Sequence, residues 1–286
     1  MGGDDAPSAP MAAARGVVAP LALFGVEGLV RPLLGSAPHV VHHAPEVVLM
    51  DDSAVAPLRE KPRSSIRLGM EALARAEVSA FVTCGHSGAA MAAAVHCLGT
   101  FEGVHRPALV SALPRADGGA LVVLDLGASV DCRPDQLATF ARLGEAYARC
   151  ALGIPAPRVG LLSNGEERSK GNAQVKAALP LLDALPIRFV GPVEPHDAFA
   201  GAVDVLVCDG FVGNVLLKTV EAALLLGDRP RARPLGGAIL LGVRGVVVIG
   251  HGRATPDDIR AAVQLAEKVA ASGLISTLRA AFEPSA

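Results

Sequence analysis

The sequence predicts an α/β fold in which a mostly parallel sheet is covered by helices on both faces. Three observations predict it. Short β-branched runs alternate with Ala/Leu-rich helical stretches along almost the whole chain, as strand–crossover–strand units require. Glycine with small polar residues recurs where a strand pattern gives way to a helical one. Aromatic residues make up only 3% of a chain that is 51% hydrophobic, so the core is built from small aliphatic side chains that let helices approach a sheet closely.

The strands expected are 39–42, 80–84, 108–112, 121–125, 158–162, 187–191, 204–208 and 246–250, each a short run rich in Val, Leu or Ile. The runs 109–114 and 120–125 are separated by Arg115-Ala-Asp-Gly-Gly119, a turn signal, and are expected to pair as one antiparallel hairpin in the parallel sheet. The helices expected are 65–76, 87–98, 134–152, 171–182, 213–226 and 256–281. The last begins with Thr255 as N-cap, Pro256 in the first turn and two aspartates after it, all helix-start signals. No internal repeat and no long linker interrupts the pattern, so residues 1–286 are expected to form a single domain. The stretch 227–234 is the nearest thing to a linker.

Composition narrows the function classes. Lys plus Arg (26) nearly balances Asp plus Glu (28), which argues against a nucleic-acid partner. The five cysteines include no C-x-x-C pair, and without a secretory signal the expected compartment is the reducing cytoplasm. The longest apolar stretches, 16–26 and 236–250, contain Pro20 and Arg244 and fall short of the roughly 18 apolar residues that span a bilayer.

In open α/β sheets ligands bind beyond the carboxyl ends of the strands, so the strand-to-helix junctions are the candidate site. They read Gly85-His-Ser-Gly-Ala89, Gly127-Ala-Ser-Val-Asp-Cys132, Ser163-Asn-Gly-Glu-Glu-Arg-Ser-Lys-Gly171, Asp209-Gly-Phe-Val-Gly-Asn214 and Gly250-His-Gly252. Glycine there lets backbone N–H groups face a ligand, and a helix N-terminus favours an anion. One such junction is explained by the turn itself. Five together, with Lys170, Asn214 and Lys218 beside them, point to an anion site. There is no G-x-G-x-x-G and no P-loop, and no H-E-x-x-H or Cys/His ligand spacing, so neither nucleotide nor zinc is implied. Gly85-His-Ser-Gly-Ala89 imitates a nucleophile elbow with one mismatch, with Ser87 as nucleophile and Asp204 or Asp209 and then His251 in triad order. A serine hydrolase or thioesterase is therefore a competing reading.

These junctions, with Met1-Gly-Gly-Asp4, Arg59-Glu-Lys-Pro-Arg-Ser-Ser65, His105-Arg-Pro-Ala108, Leu124-Asp-Leu-Gly-Ala128, Gly165-Glu-Glu167 and Cys208-Asp-Gly-Phe-Val-Gly-Asn-Val215, resemble the bacterial phosphate acyltransferases that act in phospholipid synthesis. Gly236-Gly-Ala238 with Leu240-Leu-Gly242, and His251-Gly252, continue the match. The resemblance implies a three-layer Rossmann-like α/β/α fold like that of the isocitrate and isopropylmalate dehydrogenases, a homodimer, and no cofactor or metal. It implies transfer of a fatty acyl group from acyl carrier protein to inorganic phosphate. It places Lys170 and Asn214 as catalytic: Lys170 neutralises phosphate and Asn214 donates to the developing oxyanion. Gly85, His86, Ser87, Gly88, Gly127, Ser129, Gly165, Gly171, Asp209, Gly210, Gly213, Lys218, Gly236, Gly237 and His251 are the phosphate- and substrate-binding candidates.

The chain also departs from that family's pattern. The family's first strand precedes its Met-Gly-Gly-Asp, so a strand is expected to be missing before Met1. His86, Ser129 and Ser163 stand where Asn is usual, and Arg63 where Asp is usual. The stretch before Leu21 is too short for the helix expected there. The segment 227–235, shortened to a loop with Arg229, Arg231 and Arg233, weakens the peripheral membrane contact the family implies. These changes also allow a non-catalytic paralogue that binds acyl carrier protein or phosphate.

Overall fold

The computed structural model describes residues 1–226 and 236–283. In chain order the elements are α1 (Ser8–Ala14), β1 (Ala22–Gly25), α2 (Glu27–Leu34), β2 (Val40–His43), α3 (Pro57–Glu60), α4 (Ser65–Ala74), β3 (Phe81–Thr83), α5 (Ser87–Leu98), β4 (Ala108–Pro114) and β5 (Ala120–Leu124). There follow α6 (Pro134–Leu152), β6 (Arg158–Leu162), α7 (Ala173–Asp183), β7 (Arg188–Val193), α8 (Pro195–Ala200), β8 (Val205–Val207) and α9 (Gly210–Leu226). The chain ends with β9 (Ala238–Leu241), β10 (Val247–Ile249), α10 (Pro256–Ala271) and α11 (Leu274–Phe282). Two compact units result, the first Met1–Gly99 with Pro234–Ala270 and the second Thr100–Arg233 with Ala271–Ala286.

In the first unit the strand order is β3-β10-β9. β3 and β10 run parallel, Phe81 opposite Val247, so the loops that follow them leave from one edge. A separate parallel pair joins β1 to β2. α4 packs on β1, β3 and α5, and α5 on β10. The N-terminal segment is tied to the end of β10, where the Asp4 N–H donates to the Gly252 carbonyl at 2.9 Å. A cavity of about 880 Å³ lies within this unit, lined by Leu23 and Phe24 of β1, by Phe81 and Val82 of β3, and by Met1 and Met11. Among the described residues, β1 pairs only with β2 and β3 only with β10, so each strand turns an open edge.

In the second unit the order is β4-β5-β8-β6-β7. β5, β8, β6 and β7 are mutually parallel, while β4 returns antiparallel to β5 through the Arg115–Gly119 turn, as expected. α6 illustrates why a helix forms where it does. Pro134 occupies the first turn, the Gln136 side chain accepts from the Arg133 N–H at 2.7 Å, and Gly153 ends the helix in the left-handed region at φ 71°. Between these signals Leu137, Phe140, Ala141, Gly144, Ala148 and Ala151 repeat at helical spacing and are buried, facing β5, β6 and β8. α11 covers another side of α6, with the Arg142 guanidinium 4.0 Å from the centre of the Phe282 ring.

At the amino end of β8, Asp204 is nearly buried and gathers two guanidinium groups. Arg158 donates to both its oxygens at 3.0 Å, and Arg115 to Oδ1 at 2.9 Å. Burial alone would push this carboxyl up, but the Arg158 and Arg115 donors hold it down at about 2. A depressed native value means the stabilisation is complete above the unfolded value, near 3.9, and fades as pH falls towards 2. Asp204→Asn is expected to cost about 3 kcal/mol at pH 7 by leaving two guanidinium groups poorly paired. Urea unfolding followed from pH 7 to pH 2 checks this, because the gap between wild type and variant should narrow only below about pH 4.

The mixed α/β architecture with a mostly parallel sheet agrees with the expectation, and some details differ. β9 and β10 form a second antiparallel pair; the apolar run 236–250 had suggested one strand there. The predicted helix 256–281 is two helices, divided at Gly273 with φ 74°. α2, α3 and α8 occupy stretches for which no helix was expected, β1 one for which no strand was, and α1 is a seven-residue helix in the stretch read as too short for a full one. Thr255 does cap α10, its hydroxyl meeting Asp258 Oδ2 at 2.7 Å while Asp258 accepts from its N–H at 2.8 Å. The cluster of Arg229, Arg231 and Arg233 lies outside the described residues.

Candidate functional site

In the second unit, β5, β8 and β6 are neighbours and parallel, so the loops after them rise from one edge. The loop after β5 is organised by Asp125, a residue buried with no exposed surface. Its Oδ1 accepts from the N–H groups of Leu109, Gly127 and Ala128, and its Oδ2 from that of Ser129 at 2.6 Å. Burial pushes this carboxyl up, and the four N–H donors offset that only in part. The turn thus winds around one carboxylate, an Asx-type arrangement.

α9 docks against that turn. Asp209 caps the helix, its Oδ1 accepting from Val212 N–H at 2.9 Å, and the Gly210 N–H donates to the Ser129 carbonyl at 2.8 Å. A side chain at Gly213 would overlap the Asp125 carbonyl oxygen, so only glycine allows this approach. One helical step on, Asn214 places its Nδ2 only 2.8 Å from where a Gly127 Cβ would stand. Gly127 is itself at φ 134°, a backbone conformation that favours glycine. Asn214 is exposed over this glycine turn.

The loop after β6 brings Lys170. Its Cγ lies 2.8 Å from where a Cβ of Gly165 would be, and Gly171, at φ 85°, donates its N–H to Asn164 Oδ1 at 2.9 Å. Asn172 then caps α7 by accepting from Val175 N–H. Among the described residues no carboxylate lies within ion-pair distance of the exposed Lys170 ammonium. Gln174 ties this loop to the one after β5, donating to the Cys132 carbonyl at 2.7 Å. Lys218 spends its charge elsewhere, on Glu221 at 2.9 Å.

The remaining candidates belong to the first unit. Gly85 is buried beside the Met1 carbonyl. His86 caps α5: Nδ1 accepts from the Ala89 N–H at 3.1 Å, and Nε2 is 2.8 Å from the Asp52 carbonyl. With Nδ1 accepting from Ala89, Nε2 is the nitrogen that donates to the Asp52 carbonyl. His86 therefore serves as a cap with both nitrogens engaged. Ser87 is exposed in the first turn of α5, and Gly88 meets Ala54 and the His86 ring. Gly236 and Gly237, at φ 71° and 99°, allow close approach to the backbones of Ala261 and Ile249. His251 is exposed after β10.

The hydrolase reading loses its acid. Asp204 is locked by two arginines at the amino end of β8, and Asp209 is committed to capping α9. Nor are Cys84, Cys132 and Cys208 activated thiols. Burial pushes Cys84 and Cys132 up to about 11, and Cys208 well up. Sequence reasoning passed over Asp125 and Gln174, which organise the loops; an Asp two residues before the Gly127 turn is the signal that could have found the first.

A family model described as "Fatty acid synthesis protein" matches residues 1–226. A phosphate acyltransferase from Desulforudis audaxviator is 40% identical over 318 residues, covering 97% of this chain and 93% of the relative. One from Myxococcus xanthus is 41% identical over 321 residues, covering 97% and 90%. Among solved structures, a phosphotransacetylase from Streptococcus pyogenes superposes with a TM-score of 0.64 at 18% identity, over 90% of this chain and 97% of that one. A 4-hydroxythreonine-4-phosphate dehydrogenase from Klebsiella pneumoniae gives 0.59 at 15% identity, over 92% and 95%. At that identity the two structures speak for the fold alone.

Proposed function

The chain belongs to the phosphate acyltransferase family, and from that premise we propose that it passes a fatty acyl group from the thioester of acyl carrier protein to inorganic phosphate. The observation that carries the reading is the shared edge in the second unit. Asn214, in the first turns of α9 over the Gly127 turn, and the unpaired Lys170, in the loop after β6, follow neighbouring strands.

Each part answers a need of the chemistry. Phosphate must shed water before it can attack, and a cation with oriented N–H groups replaces that hydration. Lys170 supplies the cation, with Gly165 and Gly171 shaping its loop. Phosphate rests on the turn of Gly127 and Ser129, against which Gly210 and Gly213 let α9 seat closely. A phosphate oxygen then attacks the thioester carbonyl carbon, and negative charge gathers on the carbonyl oxygen. The Asn214 amide is a donor set to receive that charge. The C–S bond breaks, the thiolate leaves and takes a proton from solvent, and acyl phosphate departs. A thiolate is a good enough leaving group that no acylated side chain is needed, in keeping with the protonated thiols of Cys84, Cys132 and Cys208.

Asp209 acts through α9, by capping it. His86, Ser87, Gly88, Gly85, Gly236, Gly237 and His251 are the substrate-binding candidates of the first unit. The enzyme works as a homodimer in the cytoplasm, delivering acyl phosphate to phospholipid synthesis. Among the described residues no helix is long and apolar enough to cross a membrane. Incubating the purified chain with acyl-loaded carrier protein and phosphate is expected to yield an acyl phosphate that hydroxylamine traps as hydroxamate. Carrier protein that binds in a titration but gives no hydroxamate would make the chain a binding paralogue instead.

A further inference from the structure

Two hydroxyl groups in the second unit have no partner. Ser129, 2% exposed, and Ser163, 8% exposed, each bury a side-chain oxygen that makes no hydrogen bond, and they are the only such side-chain atoms among the described residues. Their backbones are satisfied. Ser129 N–H donates to Asp125 Oδ2 at 2.6 Å and its carbonyl accepts from Gly210 N–H at 2.8 Å. Ser163 N–H donates to the Val193 carbonyl at 3.0 Å. The deficit is therefore confined to the hydroxyls, and a buried unpaired hydroxyl is a rare and costly feature that calls for a cause.

Their placement supplies one. Ser129 lies in the loop after β5 and Ser163 directly follows β6, the two strands that flank β8. Ser163 Oγ is 3.5 Å from where a Cβ of Gly171 would be, next to Lys170 and ahead of the eleven-residue helix α7. Ser129 sits two residues beyond Gly127, the glycine under Asn214. Both hydroxyls thus accompany the two proposed catalytic side chains on the same sheet edge. A hydroxyl that finds no protein acceptor is a donor that an anion can engage.

We infer that Ser163, together with Ser129, donates a hydrogen bond to a bound phosphate, making Ser163 a phosphate-selecting residue. The inference rests on the phosphate-transfer reading and adds to it Ser163, which is not among the binding candidates the sequence suggested. The test is calorimetric titration of the full chain with inorganic phosphate, alongside turnover. Ser163→Ala and Ser129→Ala should each weaken phosphate binding about tenfold or more, as loss of a hydrogen bond to a charged group does. KM for phosphate should rise in parallel while KM for the acyl donor stays put. Without phosphate, neither variant should melt below wild type, since neither hydroxyl bonds to the protein. Phosphate affinities within about twofold of wild type, or a lower melting temperature without phosphate, would overturn the inference and assign the hydroxyls to internal water. Wild type that binds phosphate and loses it in the variants, yet makes no acyl phosphate, upholds this inference while removing the transfer reaction. Wild type that turns over, with variants unchanged in KM for phosphate, does the reverse.

Discussion

Replacing Lys170 by alanine is expected to lower kcat for acyl phosphate formation by about 10²–10³-fold, the usual effect of removing one preorganised electrostatic partner. The substitution is clean because Lys170 is exposed and, among the described residues, holds no carboxylate. Its loop is kept in shape by other bonds, Gly171 N–H to Asn164 and Asn172 to Val175. Melting temperature should therefore stay within the range of a surface change, so a loss of rate reports on chemistry alone. Lys170→Arg should recover only part of the rate, because a planar guanidinium places its charge differently from an ammonium. Trapping product as hydroxamate under saturating phosphate gives kcat directly. Unchanged turnover in the alanine variant would remove the lysine from the mechanism and shift the burden to Asn214.

The second large effect falls on stability. Asp125→Ala is expected to cost on the order of 4 kcal/mol or more, since it strands four backbone N–H groups at about 1–3 kcal/mol each. Against a total stability of about 5–15 kcal/mol, such a variant sits near the edge of folding. Asp125→Asn should lose less. Its single amide oxygen can still serve Leu109, Gly127 and Ala128, which share Oδ1, while its NH₂ would face the Ser129 N–H, donor against donor. Urea unfolding of the two variants checks both the size and the order. Equal losses would mean that the lone Ser129 bond, and not the threefold cradle, holds the turn.

Elements were legible in the sequence where local signals and burial pattern agreed. The helices 87–98 and 134–152 and the strand Arg158–Leu162 match their expected limits, because cap, periodicity and flanking turn all point the same way. The failures have identifiable causes. β1 is four residues long and follows Pro20, too brief a run to show alternation. β9 hides in an unbroken apolar stretch where strand and turn cannot be told apart by period. Gly273 reads as a tolerated helix glycine until its positive φ divides α10 from α11. Lys170, Asn214 and the glycines could be named as candidates because their chemistry is in the side chain or its absence. Asp125 was passed over, since its work is to accept from four main-chain groups, a demand marked only by an Asp two residues before the Gly127 turn. His86 reads as a polar contact and is a helix cap, a difference that only the positions of Asp52 and Ala89 disclose.

The open edges of β1 and β3 carry a consequence for what can enter the space beside them. Leu21 and Gly25 turn their carbonyls towards β2, and Phe81 and Thr83 are bonded on the β10 side. By the alternation of a parallel ladder, the peptide groups of Ala22, Phe24 and Val82 face the other way, and all three residues line the cavity of the first unit. Its walls are oily, yet strips of amide run through them that must stay wet or be matched by a guest bearing its own donors and acceptors. A saturated hydrocarbon tail offers neither. An extended peptide segment, with its own alternating donors and acceptors, would meet these amides.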